Sequence, residues 1–413
     1  MEPQNRYLRF TRSVIMIACR RRAFTDRFSR ARRSAPALLL GLLAAIGCRE
    51  DSPTGPESAP RAEAAPEAAA PSVVAAAFAQ VSSDGFTSCA VAADGRGWCW
   101  GGSNAGELGD GTTQSHLVPQ PVAGNLRFRR IANNSHRACG ITTDNRAYCW
   151  GAETVGDGTT AQRLTPTAVA GNLRFFQLDV GSAQICGVSD PDRRAYCWGS
   201  LDALTPKRVP GGHRFRMVSG GEEHFCGVTT TNQAWCWGSN RFGQVGDGVQ
   251  NTRVRVEPSR VAGGRSWRQI DAGFQHTCAI TTAGKAFCWG FGRLGHIGDG
   301  NTQNRFEPRA VRGGIQFDRV SAGGGQTCGE ASSGRTYCWG SNENGGLGDG
   351  TKTMRLRPVR VLGGHDFVQV SAGGWHACGV TRGSDLYCWG RGEQVGDGAG
   401  LDRVQPTLIA SGS

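Results

Sequence analysis

From Phe78 onward, apolar residues come in short runs broken by Gly, Asp and Asn, and the runs repeat in a fixed order. One run is an aromatic followed three positions later by an aliphatic, beginning at Phe78, Phe128, Phe175, Phe215, Trp267, Phe317 and Phe367. The next opens on a cysteine, as in Cys226-Gly227-Val228. Another ends in Cys-Trp-Gly, starting at Cys99, Cys149, Cys197, Cys236, Cys288, Cys338 and Cys388. A further run carries Pro-x-x-Val, from Pro119–Val122 to Pro358–Val361, with Pro406–Ile409 as its last copy. Runs this short, punctuated by turn residues, suit β-strands and not helices. The Cys-Trp-Gly triplets lie 50, 48, 39, 52, 50 and 50 residues apart. Four strands in roughly 50 residues make one propeller blade. The pattern predicts an all-β fold, a seven-bladed β-propeller of four-stranded blades over residues 78–413. With Pro-x-x-Val taken as the first strand of each unit, the N-terminal unit lacks one and the C-terminus has one to spare. The last strand is therefore expected to pair into the first blade and close the ring without an open edge.

The cysteines follow the same period. Of 16, Cys19 and Cys48 lie near the N-terminus, and the other 14 fall into seven pairs. These are Cys89 with Cys99, Cys139 with Cys149, Cys186 with Cys197, Cys226 with Cys236, Cys278 with Cys288, Cys328 with Cys338, and Cys378 with Cys388. A three-residue hairpin loop at Thr143-Asp144-Asn145, with Asn145 left-handed, places Cys139 opposite Cys149 in a non-hydrogen-bonded pair. Such pairs bring Cα atoms to about 4.5 Å, within disulfide reach. Seven cross-strand disulfides are expected, one per blade. Zinc favours Cys-x₂₋₄-Cys spacing, which these pairs lack, and buried free thiols are the other alternative. The tryptophan after each second cysteine points to the opposite strand face and belongs to the core.

Composition and charge alter the picture mainly at the N-terminus. The net charge is +12, but residues 1–34 hold ten arginines against Glu2 and Asp26, leaving only +4 for the remainder. The apolar stretch Ala35–Ile46 follows and ends in Gly47-Cys48. A basic segment, a short apolar core and a small residue before the cut describe a secretory signal over residues 1–48. Ala45-Ile46-Gly47-Cys48 is similar to a bacterial lipobox, which makes Cys48 a candidate lipid anchor. Residues 49–77 are rich in Ala, Pro and Glu and read as a disordered tether. Export brings an oxidising compartment, where disulfides persist. It points to a membrane-anchored lipoprotein of the cell envelope or to a secreted protein.

The repeat resembles that of the regulator of chromosome condensation family. The matching residues are Tyr337-Cys338-Trp339-Gly340, Leu347-Gly348-Asp349-Gly350, Pro358–Val361 and Gly373-Gly374-Trp375-His376. The resemblance extends over residues 78–410 and implies a seven-bladed propeller. It also implies, as one function, guanine-nucleotide exchange on a small GTPase. That activity uses a wedge inserted in a blade, for which repeat spacings of at most 52 residues leave no room. The fold alone does not settle function.

Candidate chemistry is sparse. Gly-Asp-Gly recurs six times, at Asp110, Asp157, Asp247, Asp299, Asp349 and Asp397, and reads as turn chemistry, not a calcium loop. His224, His276 and His376 stand two residues before a cysteine, a slot filled elsewhere by Thr87, Arg137, Gln184 and Gln326. A histidine that recurs with the fold reads as a hydrogen-bonding strut. No nucleophile triad or phosphate loop occurs, and no cofactor or metal is called for. A propeller lyase or glycan hydrolase would need carboxylates clustered near the axis, and no repeated position supplies them. Glu222 and Glu223 are adjacent on an extended chain and point apart.

What diverges among the copies is the pair of residues before each strut: Phe86, His136, Glu222, Glu223, Phe274 and Trp375 are among them. Blade symmetry places them on one rim, with Arg241, Phe242, Phe291 and Arg293 from the loops after Trp-Gly. Blade three has the shortest loop and leaves a notch there. Unlike aromatic and charged residues on a rigid rim suit binding. The expectation is a non-catalytic, monomeric scaffold for a protein partner. The low charge without the leader disfavours nucleic acid, and only a lipid would touch the membrane.

Overall fold

The computed structural model of this chain describes residues 74–250 and 253–412. The signal segment, Cys48 and the tether before Val74 lie outside the described residues. Seven sheets surround an axis, each of four antiparallel strands, with one short parallel strand added to the last. In the first blade these are β2 (Phe78–Asp84), β3 (Thr87–Ala92), β4 (Gly97–Gly101) and β5 (His116–Pro121), with β2 innermost. The aromatic-led strands of all seven blades line one axial cavity.

The expected seam is corrected. Pro-x-x-Val is the outermost strand of the blade that precedes it: Trp98 faces Pro121, Cys99 faces Gln120 and Gly101 faces His116. The last strand, Arg403–Ser411, accordingly pairs with Leu386–Gly390 of the seventh blade, not with the first blade. A periodic pattern has no origin, so spacing alone left the cut between units open. The chain settles it by folding each Pro-x-x-Val run back along the Cys-Trp-Gly strand just before it. Closure comes instead from the N-terminal end. β1 (Val74–Ala75) lies parallel to the last strand, pairing Val74 with Ala410 and Ala75 with Ser411. Phe78 N then donates to Ser384 O at 2.9 Å. The tether expected over 49–77 thus yields its final residues to the propeller.

Seven disulfides form, each opposite in register, with Cα–Cα separations of 4.0–4.1 Å. Asn145 has φ +67°, and Thr142 N donates to Arg146 O at 2.9 Å, closing the loop as the hairpin argument requires.

Neighbouring blades are joined by polar ties that recur around the ring. The buried indoles of Trp150, Trp198, Trp289, Trp339 and Trp389 donate to backbone carbonyls of the preceding blade's loop, at 2.8–3.2 Å. Trp100 does the same across the seam, to Gln394 O at 3.0 Å. The first glycine of Gly-Asp-Gly makes this approach possible: a Cβ at Gly348 would fall 2.9 Å from Trp389 Nε1, and φ there is +66°. The aspartates are turn residues, each accepting an N–H two residues on. Five pair with the arginine that opens the next strand, such as Arg355 with Asp349 at 2.8 Å, and Asp110 meets His116.

Nearer the axis, Gln80, Gln177, Gln269 and Gln369 each clamp the next blade. Each amide donates to the C=O and accepts from the N–H of one residue: Ile131, Val218, Val320 and Val81 respectively. The histidine slot is a strut, as expected. His224 Nε2 meets Thr277 Oγ1 at 2.8 Å, His276 meets Thr327 at 2.9 Å, and His376 meets Ser88 at 2.7 Å. Thr277 Oγ1 donates to Gln244 O, so it accepts from the imidazole N–H. Burial pushes His224 and His376 down to about 3 and keeps them neutral.

Blade three lacks the Gly-Asp-Gly loop. Among the described residues Trp237, in blade four, has no indole acceptor and stacks on Phe225 instead, with centroids 6.1 Å apart. This difference yields a test by chemical denaturation. Trp389→Phe removes an indole donor and strands Gly346 O, at about 1–3 kcal/mol. Trp237→Phe loses packing alone and is expected to cost less by about 1 kcal/mol or more. Equal losses would show that the indole bonds carry no stability.

Candidate binding face

The hairpins joining each first and second strand, together with the loops after Trp-Gly, form one face. Around its centre the hairpins bond to one another: Glu222 N to Phe274 O at 3.2 Å, Phe274 N to Gly323 O at 3.1 Å, and Gly324 N to Gly373 O at 3.0 Å. The floor of the face is thereby fixed.

On this floor the divergent residues gather into two clusters. Phe86 and Trp375, 289 positions apart in sequence, pack with centroids 5.2 Å apart at the seam. Arg391 lies over both rings, at 6.0 and 5.6 Å. Beside them runs a groove of about 430 Å³, lined by Phe86, Leu117, His136 and Arg391 among others. Phe86 remains 40 % exposed, enough to contact a partner. The second cluster is Phe242 against Phe291 at 5.0 Å, with Arg241 5.3 Å from the Phe242 ring. Glu222 is held by Gln275 Nε2 at 2.9 Å. Phe274 is half-buried, and its ring lies close over Gly324. Glu223 and Arg293 are exposed and join neither cluster. Arg391 was not among the residues singled out from sequence. Its placement in the loop after Trp389-Gly390, the region that supplied Arg241 and Arg293, was the available signal.

Carboxylates do gather near the axis, contrary to the expectation from the repeat. Asp84, Asp179 and Asp271 line the axial cavity of about 380 Å³. Asp179 and Asp271 share one register position, four residues after the strand's aromatic, while Asp84 stands six after its own. Burial raises all three; Asp179 and Asp271 add to the rise at Asp84, and Asp179 adds to that at Asp271. Asp84 is held well above the carboxylate range, with only the Gly85 N–H opposing strongly. Asp179 is raised, offset by Arg130. Asp271 is pushed up to about 7 by burial and then by Asp179. Two of them are occupied in joining blades: Asp179 accepts from Gly220 N at 3.2 Å, and Asp271 from Ala322 N at 3.1 Å and Ser219 Oγ at 2.8 Å. Glu330, on the second strand of blade six, accepts from Val370 N of blade seven where other blades use glutamine. Burial raises it to about 7. Among the described residues no group of three metal-ligating side chains converges.

The regulator of chromosome condensation (RCC1) repeat matches residues 94–141, 232–280, 283–329 and 333–380. A second form of the repeat matches 218–244, 267–295 and 367–394, and together they take in more than half of the chain. The chain belongs to the RCC1 repeat family. Within that family it is 33 % identical over 72 residues to the ultraviolet-B receptor UVR8 of Arabidopsis thaliana, covering 17 % of this chain and 16 % of the receptor. It is 30 % identical over 69 residues to the probable E3 ubiquitin-protein ligase HERC4 of Rattus norvegicus, covering 16 % and 6 %. The RCC1-repeat chain thus spans a small fraction of the relatives it matches. Among solved structures, yeast RCC1 (Prp20) bound to Kap60 superposes with a TM-score of 0.67 at 18 % identity, over 76 % of this chain and 83 % of that one. Human WBSCR16 gives 0.64 at 18 %, over 72 % and 84 %. At these identities the RCC1-repeat likeness to solved structures is one of fold.

The buried acids generate a pH prediction. Glu330 is protonated more readily in the fold than in the unfolded chain. Its contribution is therefore full below pH 4.5 and is lost as pH rises through about 7. Glu330→Gln keeps the acceptor for Val370 and removes the charge. The variant is expected to match the parent at pH 4 and to exceed it by about 2–3 kcal/mol at pH 8. Urea melts at the two pH values check this, and a pH-independent difference would refute the assignment.

Proposed function

We propose that this RCC1-repeat protein is an exported, non-catalytic, monomeric scaffold that binds a protein partner through its hairpin-loop face. The observation that carries the reading is the pair of half-exposed aromatic–arginine clusters, Phe86–Trp375–Arg391 and Phe242–Phe291–Arg241, on a floor locked by backbone bonds. Aromatic and arginine side chains are the usual anchors of protein interfaces, and a prefixed floor lowers the ordering cost of binding. Protein binding also fits the relatives, since yeast RCC1 is seen bound to Kap60 and Prp20p is described by its binding to Gsp1p and histones. Seven disulfides suit an oxidising compartment, and among the described residues no helix is long and apolar enough to cross a membrane. Attachment would then fall to Cys48, through lipid, with residues 49–73 as the leash.

Two measurements test the reading. Partners captured from envelope and culture fractions by the full chain are re-measured with Trp375→Ala, Phe242→Ala and, on the opposite face, Arg335→Ala. The first two are expected to weaken the specific partner by about 30-fold each, as for anchor residues, and the third to leave it unchanged. Indifference of every partner to both rim variants would remove the face from consideration. Separately, labelled fatty acid is expected to enter the parent and not Cys48→Ser, with the variant released from membranes; equal labelling would dismiss the anchor.

A further inference from the structure

Arg137 is the one residue that brings a fixed charge to the strut slot. Its side chain is almost sealed, with 5 % of the residue exposed. Nη1 donates to Gly199 O at 2.8 Å and to Thr154 Oγ1 and O at 3.2 and 3.4 Å, and Nη2 donates to Ser182 O at 2.8 Å. That leaves Nε–H and the second Nη2–H with no acceptor among the described residues. No carboxylate approaches: burial alone bears on the group, holding it down to about 10. A buried charge without a counter-ion is costly, and proteins rarely keep one without use.

The slot itself does not demand a cation. In blade three Ile185 replaces the hydroxyl that receives the histidine struts elsewhere, so a longer donor that reaches carbonyls is needed. A neutral amide can do that, because Gln326 reaches His376 O at 2.6 Å from the same slot of blade six. Strut duty explains the length of Arg137 but not its charge.

The space above it supplies the rest. Because blade three has the shortest repeat, its loop leaves a notch of about 540 Å³, with Arg137 on its wall. Thr160, Gln162 and Ser200 add polar groups around the opening, and Leu201, 75 % exposed, gives it an apolar lip. Glu153 also lines the notch, but its carboxylate is exposed and forms no ion pair with Arg137. Nε and Nη2 share one edge of the guanidinium plane, and that edge matches the two oxygens of a carboxylate.

We propose that the blade-three notch is a carboxylate-binding pocket, in which the free edge of Arg137 holds either an Asp or Glu side chain or the C-terminal carboxylate of a peptide. The proposal deepens the protein-binding reading by naming what one part of the partner presents. It is tested without that partner, so either can fail while the other stands.

The full chain, labelled with ¹⁵N-arginine, is titrated while the Arg137 Nε–H signal is followed. The probes are N-acetylglutamic acid α-amide for the side-chain source, N-acetyl-leucine for the terminal source, and N-acetyl-leucinamide as the uncharged match. At least one acid is expected to give a saturable shift with millimolar affinity, and the tighter acid names the source. The uncharged amide is expected to give none. Arg137→Lys keeps a cation but loses the paired edge; followed by saturation transfer to the acid itself, it should bind about tenfold more weakly or worse. Ser200→Asp leaves Arg137 in place and offers it an internal carboxylate, which should abolish the saturable shift; it also serves should Arg137→Lys not fold. Shifts that stay linear with every acid, an equal response to the amide, or undiminished binding by Ser200→Asp would overturn the proposal.

Discussion

Both faces of every blade are covered by other blades, so each polar group at those interfaces must find its partner across the gap or forgo one. This requirement shapes the whole molecule. Glutamine amides near the axis, histidine or threonine hydroxyl partners at mid-height, and indole N–H groups farther out each reach into the adjoining sheet. Because the same ties are repeated, a local repeat becomes a ring with cooperative joints. Where one joint lacks its partner, the neighbours adjust. Phe225 stacks on Trp237 where blade three lacks the Gly-Asp-Gly loop, and Arg137 spans the place where Ile185 offers no hydroxyl.

The same ties explain why the two regions of unlike chemistry behave differently. Carboxylates by the axis are drawn into joining blades, which is why Asp179 and Asp271 meet backbone N–H groups of the adjoining strand. Aromatic and arginine side chains on the hairpin-loop face have no such duty. Their backbones are fixed by the ring of hairpin bonds, while their side chains remain partly open to solvent. A rigid base with uncommitted side chains is the arrangement that favours recognition over structure.

How far these features could be read in advance depended on whether they repeat. The blades, the cysteine pairs, the tryptophan core and the Asp-Gly turns recur seven or six times, and recurrence made them legible. The phase of the repeat was not, since Pro-x-x-Val stands equally well before an aromatic strand or after Cys-Trp-Gly until pairing of Trp98 with Pro121 decides it. The glutamine clamps occupy alternate blades and therefore looked like ordinary variation. Asp84 stands two positions further along its strand than Asp179 and Asp271 along theirs, so only the ring brings the three together. Phe86, Trp375 and Arg391 likewise meet through closure and not through any local pattern.

Every disulfide joins two strands of one hairpin and encloses a loop of ten or eleven residues. None links one blade to another. Under tension applied at its two ends, the oxidised propeller would still pay out about four-fifths of its contour, with each bridge withholding only one small knot of backbone. The covalent bonds therefore guard seven hairpins against local fraying, and resistance of the ring to being pulled open rests wholly on non-covalent joints.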